Sequence, residues 1–284
     1  MQKTWSIIDI IHWGENYFKV KGIESPRLNI ELLLCHTLKI NRIEIYTHYD
    51  KPLNDDELNL LRQSIKRRTN REPLQYIFGK TDFFGASIAL DQSVLIPRPE
   101  TEFLAAEAAK IIENNNFKSI LDIGSGSGCI AISLAKKFPY SNFLAIDISE
   151  KAIEIAKENA KYNNVDNVYF EKIDVLKEKP KNKYELIISN PPYVPQSEYL
   201  VLEPDVRYYE PRYALTDEKD GLTFYHRFAD IFKDILLPNG MFVLEIGAGQ
   251  KKYVVDLFSM EFTLMSIKDF SMIERFIIGK RKPA

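Results

Sequence analysis

Residues 188–193 read Ile-Ser-Asn-Pro-Pro-Tyr and come directly off an apolar run. Proline has no backbone N–H and a fixed φ, so Pro191 and Pro192 end any strand that precedes them. The same residues offer a set of groups suited to one kind of chemistry. Asn190 carries an amide oxygen, the Pro191 carbonyl is held by two stiff residues, and Tyr193 supplies a flat ring on which a planar group can stack. An amide or aromatic amine nitrogen has a delocalised lone pair and is a poor nucleophile, and stripping its proton outright is too costly. A workable methylation site accepts hydrogen bonds from both N–H groups, which anchors the NH2 and favours localisation of the lone pair toward a methyl donor. Asn190 and Pro191 are the candidate acceptors, with Pro192 as the stiffener and Tyr193 as the platform. Catalysis would then be positioning plus electrostatics, with no metal and no covalent intermediate. A proline-pair strand exit beside a core tyrosine is the plainer account of the same four residues.

A second constellation lies upstream. "LDIGSGSGCIAISLA" puts Asp122 at the end of a β-rich run, followed by Gly124, Ser125, Gly126, Ser127 and Gly128 and then a helical pattern. Glycines there permit positive φ and let a ligand approach the backbone. Residues 126–131 satisfy the G-x-G-x-x-A form of the dinucleotide fingerprint, a weak match by itself. Asp147 ends the next run, nineteen residues after Gly128, where an acidic side chain can accept both hydroxyls of a ribose. Asp174 ends the third run, beside Val175, placed to meet an adenine; capping of the following helices is the competing role for Asp147 and Asp174. NAD and S-adenosylmethionine both contain adenosine, so these residues leave the two open. A hydride-transfer enzyme has no evident use for Asn-Pro-Pro-Tyr, and that motif selects S-adenosylmethionine. His12, His36, His48 and His226 show no metal-ligand spacing, and no metal is expected.

The elements that must position these groups follow from periodicity. Between Arg98 and the C-terminus, short β-rich runs alternate with helical patterns, which argues for a mostly parallel sheet covered on both faces. Such a sheet binds ligands at the carboxyl ends of its strands. "FTLMSIKDF" and "ERFIIGKR" suit a closing strand pair. Ahead of this, "WSIIDIIHW" and "RLNIELLLCHTLKI" carry apolar residues at helical spacing. In "NDDELNLLRQSIKRR", Asn54 and Glu57 make a capping pair, and Leu58, Leu61 and Ile65 form one face. Lys66, Arg67, Arg68 and Arg71 at its end read as a solvated helix terminus opposing the macrodipole, with a docking patch for an acidic or RNA-bearing partner as the other reading. From Pro73 the pattern changes: "YIFGKTDFFGASIALDQSVLIPRPE", with Gly79 and Gly85 among its aromatic and β-branched residues, reads as a hairpin or extended linker, not helix. The expected division is a small helical N-terminal domain for partner recognition over residues 1–75, a hairpin linker over 76–96 and a catalytic domain over 97–284.

The 284 residues are 45% apolar and 27% charged, with a net charge of −2, which makes disorder a poor default and gives the chain as a whole no broad basic footprint for nucleic acid, with room only for a local basic stripe. Two distant cysteines, Cys35 and Cys129, suit a reducing compartment. No run approaches the roughly 18 apolar residues of a membrane span, so a cytoplasmic location and no membrane partner are expected.

"DIGSGSG" with the later Asp147 and "SNPPY" resembles the class I S-adenosylmethionine-dependent methyltransferases that act on amino groups. "EPLQYIFGKTDFFG", "LIPRPETE" and "EPDVRYYEPRYAL" narrow the resemblance to the peptide chain release factor glutamine methyltransferases, over about Glu72 to Leu215. The resemblance implies a Rossmann-like seven-stranded α/β methyltransferase domain with its last strand antiparallel. It implies methyl transfer from S-adenosyl-L-methionine to the side-chain amide nitrogen of the glutamine in the Gly-Gly-Gln motif of class 1 peptide chain release factors. Carried over by matching motifs, the cofactor loop is Gly124 to Gly128, the ribose acid Asp147, the adenine neighbour Val175, and the amide site Asn190, Pro191, Pro192 and Tyr193, with Asn190 also beside the cofactor. In "IPRPETE", Arg98 and Glu100 either shape the pocket from the side or hold the linker, while Pro99 and the acids start a helix. Adenine N6 or cytosine N4 presents the same chemistry to the same motif, so a nucleic-acid amine methyltransferase is the runner-up, opposed by the mild acidity and the lack of a recognition domain. An NAD-dependent oxidoreductase and a non-catalytic binding module are weaker alternatives, since neither uses both constellations.

Overall fold

Three helices of the N-terminal region begin with reciprocal capping pairs three residues apart: Ser6 with Asp9, Asn41 with Glu44, and Asn54 with Glu57. At the last, Asn54 Oδ1 accepts from the Glu57 N–H and the Asn54 N–H donates to Glu57 Oε2, both at 2.9 Å. The computed structural model describes residues 4–283. Contact density divides them into two compact units: the chain up to Gly79 with Pro204–Tyr209, and Lys80–Glu203 with the chain from Glu210 onward.

The first unit holds α1 (Ile7–Val20), α2 (Pro26–Leu38), α3 (Arg42–Thr47), α4 (Asp55–Thr69) and α5 (Leu74–Phe78) around Ile7, Ile11, Phe18, Ile30, Leu33 and Leu34. Helices α1 and α2 approach closely at Gly14, where a Cβ would lie 2.4 Å from Ile30 Cγ1. Helix α5 occupies a stretch whose composition suggested extended chain. One helical turn there buries Tyr76 and Ile77, and Gly79 ends it at φ 71°. The basic end of α4 is only partly solvated. Arg67 pairs with Glu72, while buried Arg68 donates to Asn29 Oδ1 and the Glu72 carbonyl and pairs with Asp205 at 2.6 Å.

The second unit opens with a hairpin, β1 (Lys80–Phe83) and β2 (Ala86–Ala89), turned at Phe84-Gly85 with both φ values positive, as a two-residue hairpin turn requires. The sheet that follows comprises β3 (Ser119–Ile123), β4 (Asn142–Asp147), β5 (Val168–Lys172), β6 (Tyr184–Ser189), β7 (Leu236–Glu245), β8 (Phe262–Lys268) and β9 (Glu274–Arg281), in the order β5-β4-β3-β6-β7-β9-β8. Pairing is parallel from β5 through β7, and β9 runs antiparallel to both neighbours, so the mixed α/β sheet has seven strands with its last strand reversed. On one face α12 (Thr223–Ile235) and α13 (Lys251–Phe258) bury Phe228, Phe232 and Phe258 against Phe242, with ring centroids 4.8–5.8 Å apart. The other face carries α6 (Pro99–Asn115), α7 (Cys129–Lys137) and α8 (Glu150–Tyr162).

Two asparagines one helical turn apart hold the hairpin on this unit. The Asn159 side chain on α8 accepts from the Ala89 N–H at 2.8 Å and donates to the Ala89 carbonyl, as a neighbouring strand would. Asn163, just past the helix, repeats the pattern with Ser87. Asn159 also donates to the Ser127 carbonyl, which ties the glycine loop to the same helix. Asn159→Asp keeps the shape but withdraws the donor from two carbonyls and places a charge where water is absent. Stability is expected to fall by about 2 kcal/mol or more, read as a lower midpoint of the main urea unfolding transition.

Candidate active site

The carboxyl ends of β3, β4 and β6 meet at a recess lined by Gly124, Gly126, Asp147, Val175 and Asn190. The parallel registers create it: Ile123 pairs with Ile146 on one side and with Ser189 on the other, so Gly124, Asp147 and Asn190 leave the sheet side by side. The Gly124 and Ser125 N–H groups both donate to the Ile146 carbonyl, at 2.8 and 3.0 Å, bending the chain sharply out of β3. Gly124, Gly126 and Gly128 take φ values of 76°, 53° and 78°, the left-handed region glycine tolerates. A Cβ at Gly126 would meet nothing within 4 Å, so its bare backbone faces the recess. A Cβ at Gly128 would lie 2.8 Å from Ile132 Cδ1 and 3.0 Å from Ala156 Cβ, so that glycine serves helix packing.

Asp147 lines the recess and is 8% exposed. Its Oδ2 accepts from the Gly126 N–H at 2.9 Å and its Oδ1 from the Ser149 N–H at 2.8 Å, which leaves lone pairs on both oxygens for a diol. Burial pushes its carboxyl above the usual range, against the pull of those amides. Asp122 is fully buried behind the loop. Its Oδ2 accepts from the Ala131 N–H, Oδ1 has no partner among the described residues, and burial pushes the carboxyl up to about 7. Val175 lines the recess, with its carbonyl held by Arg227 Nε at 2.8 Å. Asp174 lines it too, paired with Lys177; β5 stops at Lys172, so Asp174 sits in the turn beyond the strand, not at its last residue as expected. The bare glycine backbone, the unspent oxygens of Asp147 and the apolar wall at Val175 and Phe228 fit an adenosine-bearing cofactor.

Asn190, Pro191 and Pro192 line the same recess. The remaining expected residues stand just behind it. Ser125 and Ser127 have buried side chains, and Gly128 caps α7. The Tyr193 ring packs against the core, with its hydroxyl donating to Glu245 Oε1 at 3.1 Å. Asn190 Nδ2 donates to Thr101 Oγ1 at 3.0 Å, and the Thr101 hydroxyl donates to Glu245 Oε2 at 2.9 Å.

Gln250 clamps the backbone here. Its Nε2 donates to the Tyr193 carbonyl at 2.9 Å, and its Oε1 accepts from the Gly247 N–H. Gly221, at φ 80°, fits between them, and a Cβ there would lie 2.2 Å from the Tyr193 carbonyl oxygen. Arg98, the residue before α6, pairs with buried Glu210, which also accepts from the Ile96 N–H, so "IPRPETE" is bound to "EPRYAL". Thr101, Glu245, Gly221, Gln250 and Glu210 were not singled out from the sequence. "IPRPETE" carried the signal for Thr101, and "LEIGAG", a second acid-then-glycine strand end, carried one for Glu245. Among the described residues, no cluster of three or more His, Cys, Asp or Glu could hold a metal ion, and no helix is long and apolar enough to cross a membrane.

Comparison with known proteins places the chain among its relatives. Residues 9–79 match the model of the PrmC N-terminal domain, and residues 101–203 that of the methyltransferase small domain. A release factor glutamine methyltransferase of Geobacter sulfurreducens is 39% identical over 257 residues, covering 90% of this chain and 89% of its own. One of Fusobacterium nucleatum is 37% identical over 278 residues, covering 96% and 78%. The chain belongs to the release factor glutamine methyltransferase family. A solved methyltransferase of Pyrococcus furiosus shares the fold at TM-score 0.52 and 18% identity, over 70% of this chain and 91% of that one.

The chain after the proline pair is packed so closely at Gly221 that no side chain fits there. Gly221→Ala must push the Tyr193 carbonyl or break the Gln250 clamp. Methyl transfer is expected to fall about 100-fold, with the thermal midpoint lowered only modestly, as measured by turnover and calorimetry on the same preparation.

Proposed function

We propose that this chain methylates the side-chain amide nitrogen of the glutamine in the Gly-Gly-Gln motif of class 1 peptide chain release factors, using S-adenosyl-L-methionine. The observation that carries the reading is the meeting of the glycine turn, Asp147 and the Asn190–Pro192 backbone on one recess, in a chain related to release factor glutamine methyltransferases over most of its length.

In this reading Gly124 and Gly126 let the cofactor lie against bare backbone, Asp147 accepts its ribose hydroxyls, and Val175 packs on its adenine. Gly128 holds the turn on α7, while Ser125 and Ser127 supply loop backbone. Bound S-adenosylmethionine supplies an electrophilic methyl group on a sulfonium that leaves readily. The chain's own residues do the rest by placement. Asn190 Oδ1 and the Pro191 carbonyl each accept one N–H of the glutamine amide, so the nitrogen lone pair is turned away from them. Pro191 and Pro192 keep those acceptors from relaxing, so little reorganisation is needed when the substrate arrives. Tyr193, its ring packed on the core behind the recess and its hydroxyl on Glu245, backs the proline pair from the interior side. The helical N-terminal unit reads the release factor. No nucleic-acid substrate, metal or membrane takes part, and the cytoplasm is the compartment.

Labelled methyl transfer from S-adenosylmethionine to purified release factor, beside its Gln→Ala variant in the Gly-Gly-Gln loop, tests the acceptor. Label on the wild-type factor alone is expected; equal labelling of both, or labelling of RNA or DNA instead, overturns the reading. Asn190→Ala removes one of the two acceptors. Turnover is expected to fall by about 100-fold or more with the circular dichroism spectrum unchanged, and survival within a few-fold would rule out the acceptor role.

A further inference from the structure

The Asn190 amide has an accepting end and a donating end, and only the accepting end suits a glutamine N–H. What decides which end faces the recess lies outside the Asn-Pro-Pro-Tyr motif. Thr101, on the first turn of α6, stands between Asn190 Nδ2 at 3.0 Å and Glu245 Oε2 at 2.9 Å. Glu245, the last residue of β7, also accepts from the Tyr193 hydroxyl. Thr101 and Glu245 are 3% and 1% exposed, so bulk water does not stand in for either partner.

A threonine hydroxyl has one proton and a carboxylate has none to offer. With Glu245 ionised, the Thr101 proton goes to Glu245, and Thr101 can only accept from its other neighbour. The Asn190 atom facing Thr101 is then the Nδ2 donor, and Oδ1 is left for a ligand. We propose that Thr101 and Glu245 are positioning residues for methyl transfer, locking the Asn190 side chain with its oxygen toward the acceptor amide. This deepens the glutamine methyltransferase reading and rests on it.

Protonation of Glu245 undoes the lock. With a proton on Oε2, Glu245 donates to Thr101, the Thr101 proton turns to Asn190, and the amide is free to present Nδ2 to an N–H that it repels. Burial pushes the Glu245 carboxyl up to about 7, opposed by the Thr101 and Tyr193 hydroxyls and by Arg275 of β9, and aided by Glu100 of α6. Tyr225 of α12 donates to the Glu245 carbonyl oxygen at 2.8 Å, and Arg98 acts on the Tyr193 hydroxyl. Activity that needs the ionised form is present above this transition and lost as pH falls through it.

The full-length wild type, Thr101→Val, Thr101→Ser and Glu245→Gln are compared for turnover on release factor, S-adenosylmethionine affinity and thermal midpoint. Thr101→Val and Glu245→Gln are expected to lower kcat about 100-fold with cofactor Kd and thermal midpoint little changed, while Thr101→Ser keeps most of the activity. The acid limb of the kcat profile near neutrality is expected in wild type and Thr101→Ser and absent in Glu245→Gln. A readout without substrate is the nitrogen–proton cross-peak pair of the Asn190 side chain, identified by its loss in Asn190→Asp. It should exchange slowly in wild type and Thr101→Ser and rapidly in Thr101→Val. Full kcat in Thr101→Val, loss of cofactor affinity in step with kcat, or unchanged amide exchange overturns the proposal, whatever the methyl acceptor is. Failure of the wild type to label release factor overturns the acceptor assignment alone, since the amide exchange still decides the lock.

Discussion

Parallel pairing of β3 with β4 and β6 is the constraint on which the site depends. Parallel strands end in step, so their carboxyl termini deliver Gly124, Asp147 and Asn190 to one edge, and β7 adds Glu245 next to them. Hydrogen bonds that cross between strand ends keep this edge in place. The Ile146 carbonyl takes two loop amides, and the Ser189 hydroxyl donates to the Ile123 carbonyl at 2.7 Å. A slip of one residue between β3 and β6 would turn Asn190 to the other face and separate the two constellations.

Around that edge several buried polar groups are held by specific partners. Asn159 holds the hairpin and the Ser127 carbonyl, Glu245 gathers two hydroxyls, and Glu210 gathers Arg98 and the Ile96 N–H. Each ties segments far apart in sequence, and each fixes an orientation where apolar packing would fix only a distance. Glycines take several of the sharp turns here: Gly124, Gly126 and Gly221 adopt left-handed φ where the backbone turns beside the recess or the proline pair. The helical unit uses the same device on a smaller scale, with buried Glu31 gathering Arg27, Arg42 and the Tyr46 hydroxyl.

Local signals were strong where chemistry is local. The Asn54–Glu57 capping pair, the alternation of strand and helix and the closing pair of β8 and β9 were legible because side-chain period and cap chemistry act within a few residues. Residues Leu74–Phe78 were misread because their aromatic and β-branched content favours strand, while burial of Tyr76 and Ile77 selects a helical turn. The basic end of α4 was misread for a different reason. Its partner Asp205 lies more than a hundred residues later, and no local pattern announces it.

By itself, the sequence determined the type of sheet, the glycine turn, the acid at the end of β4 and the amide-bearing proline pair, because each is a short run whose residues act through their own backbone. Only the tertiary structure decided which residues hold that machinery in register. Thr101, Gly221, Glu245 and Gln250 are unremarkable in their own segments. They acquire roles because a parallel sheet brings α6, the end of β7 and the start of α13 within hydrogen-bond reach of the chain leaving β6. A hydrogen bond is set by distance and direction in space, and separation along the chain does not encode either.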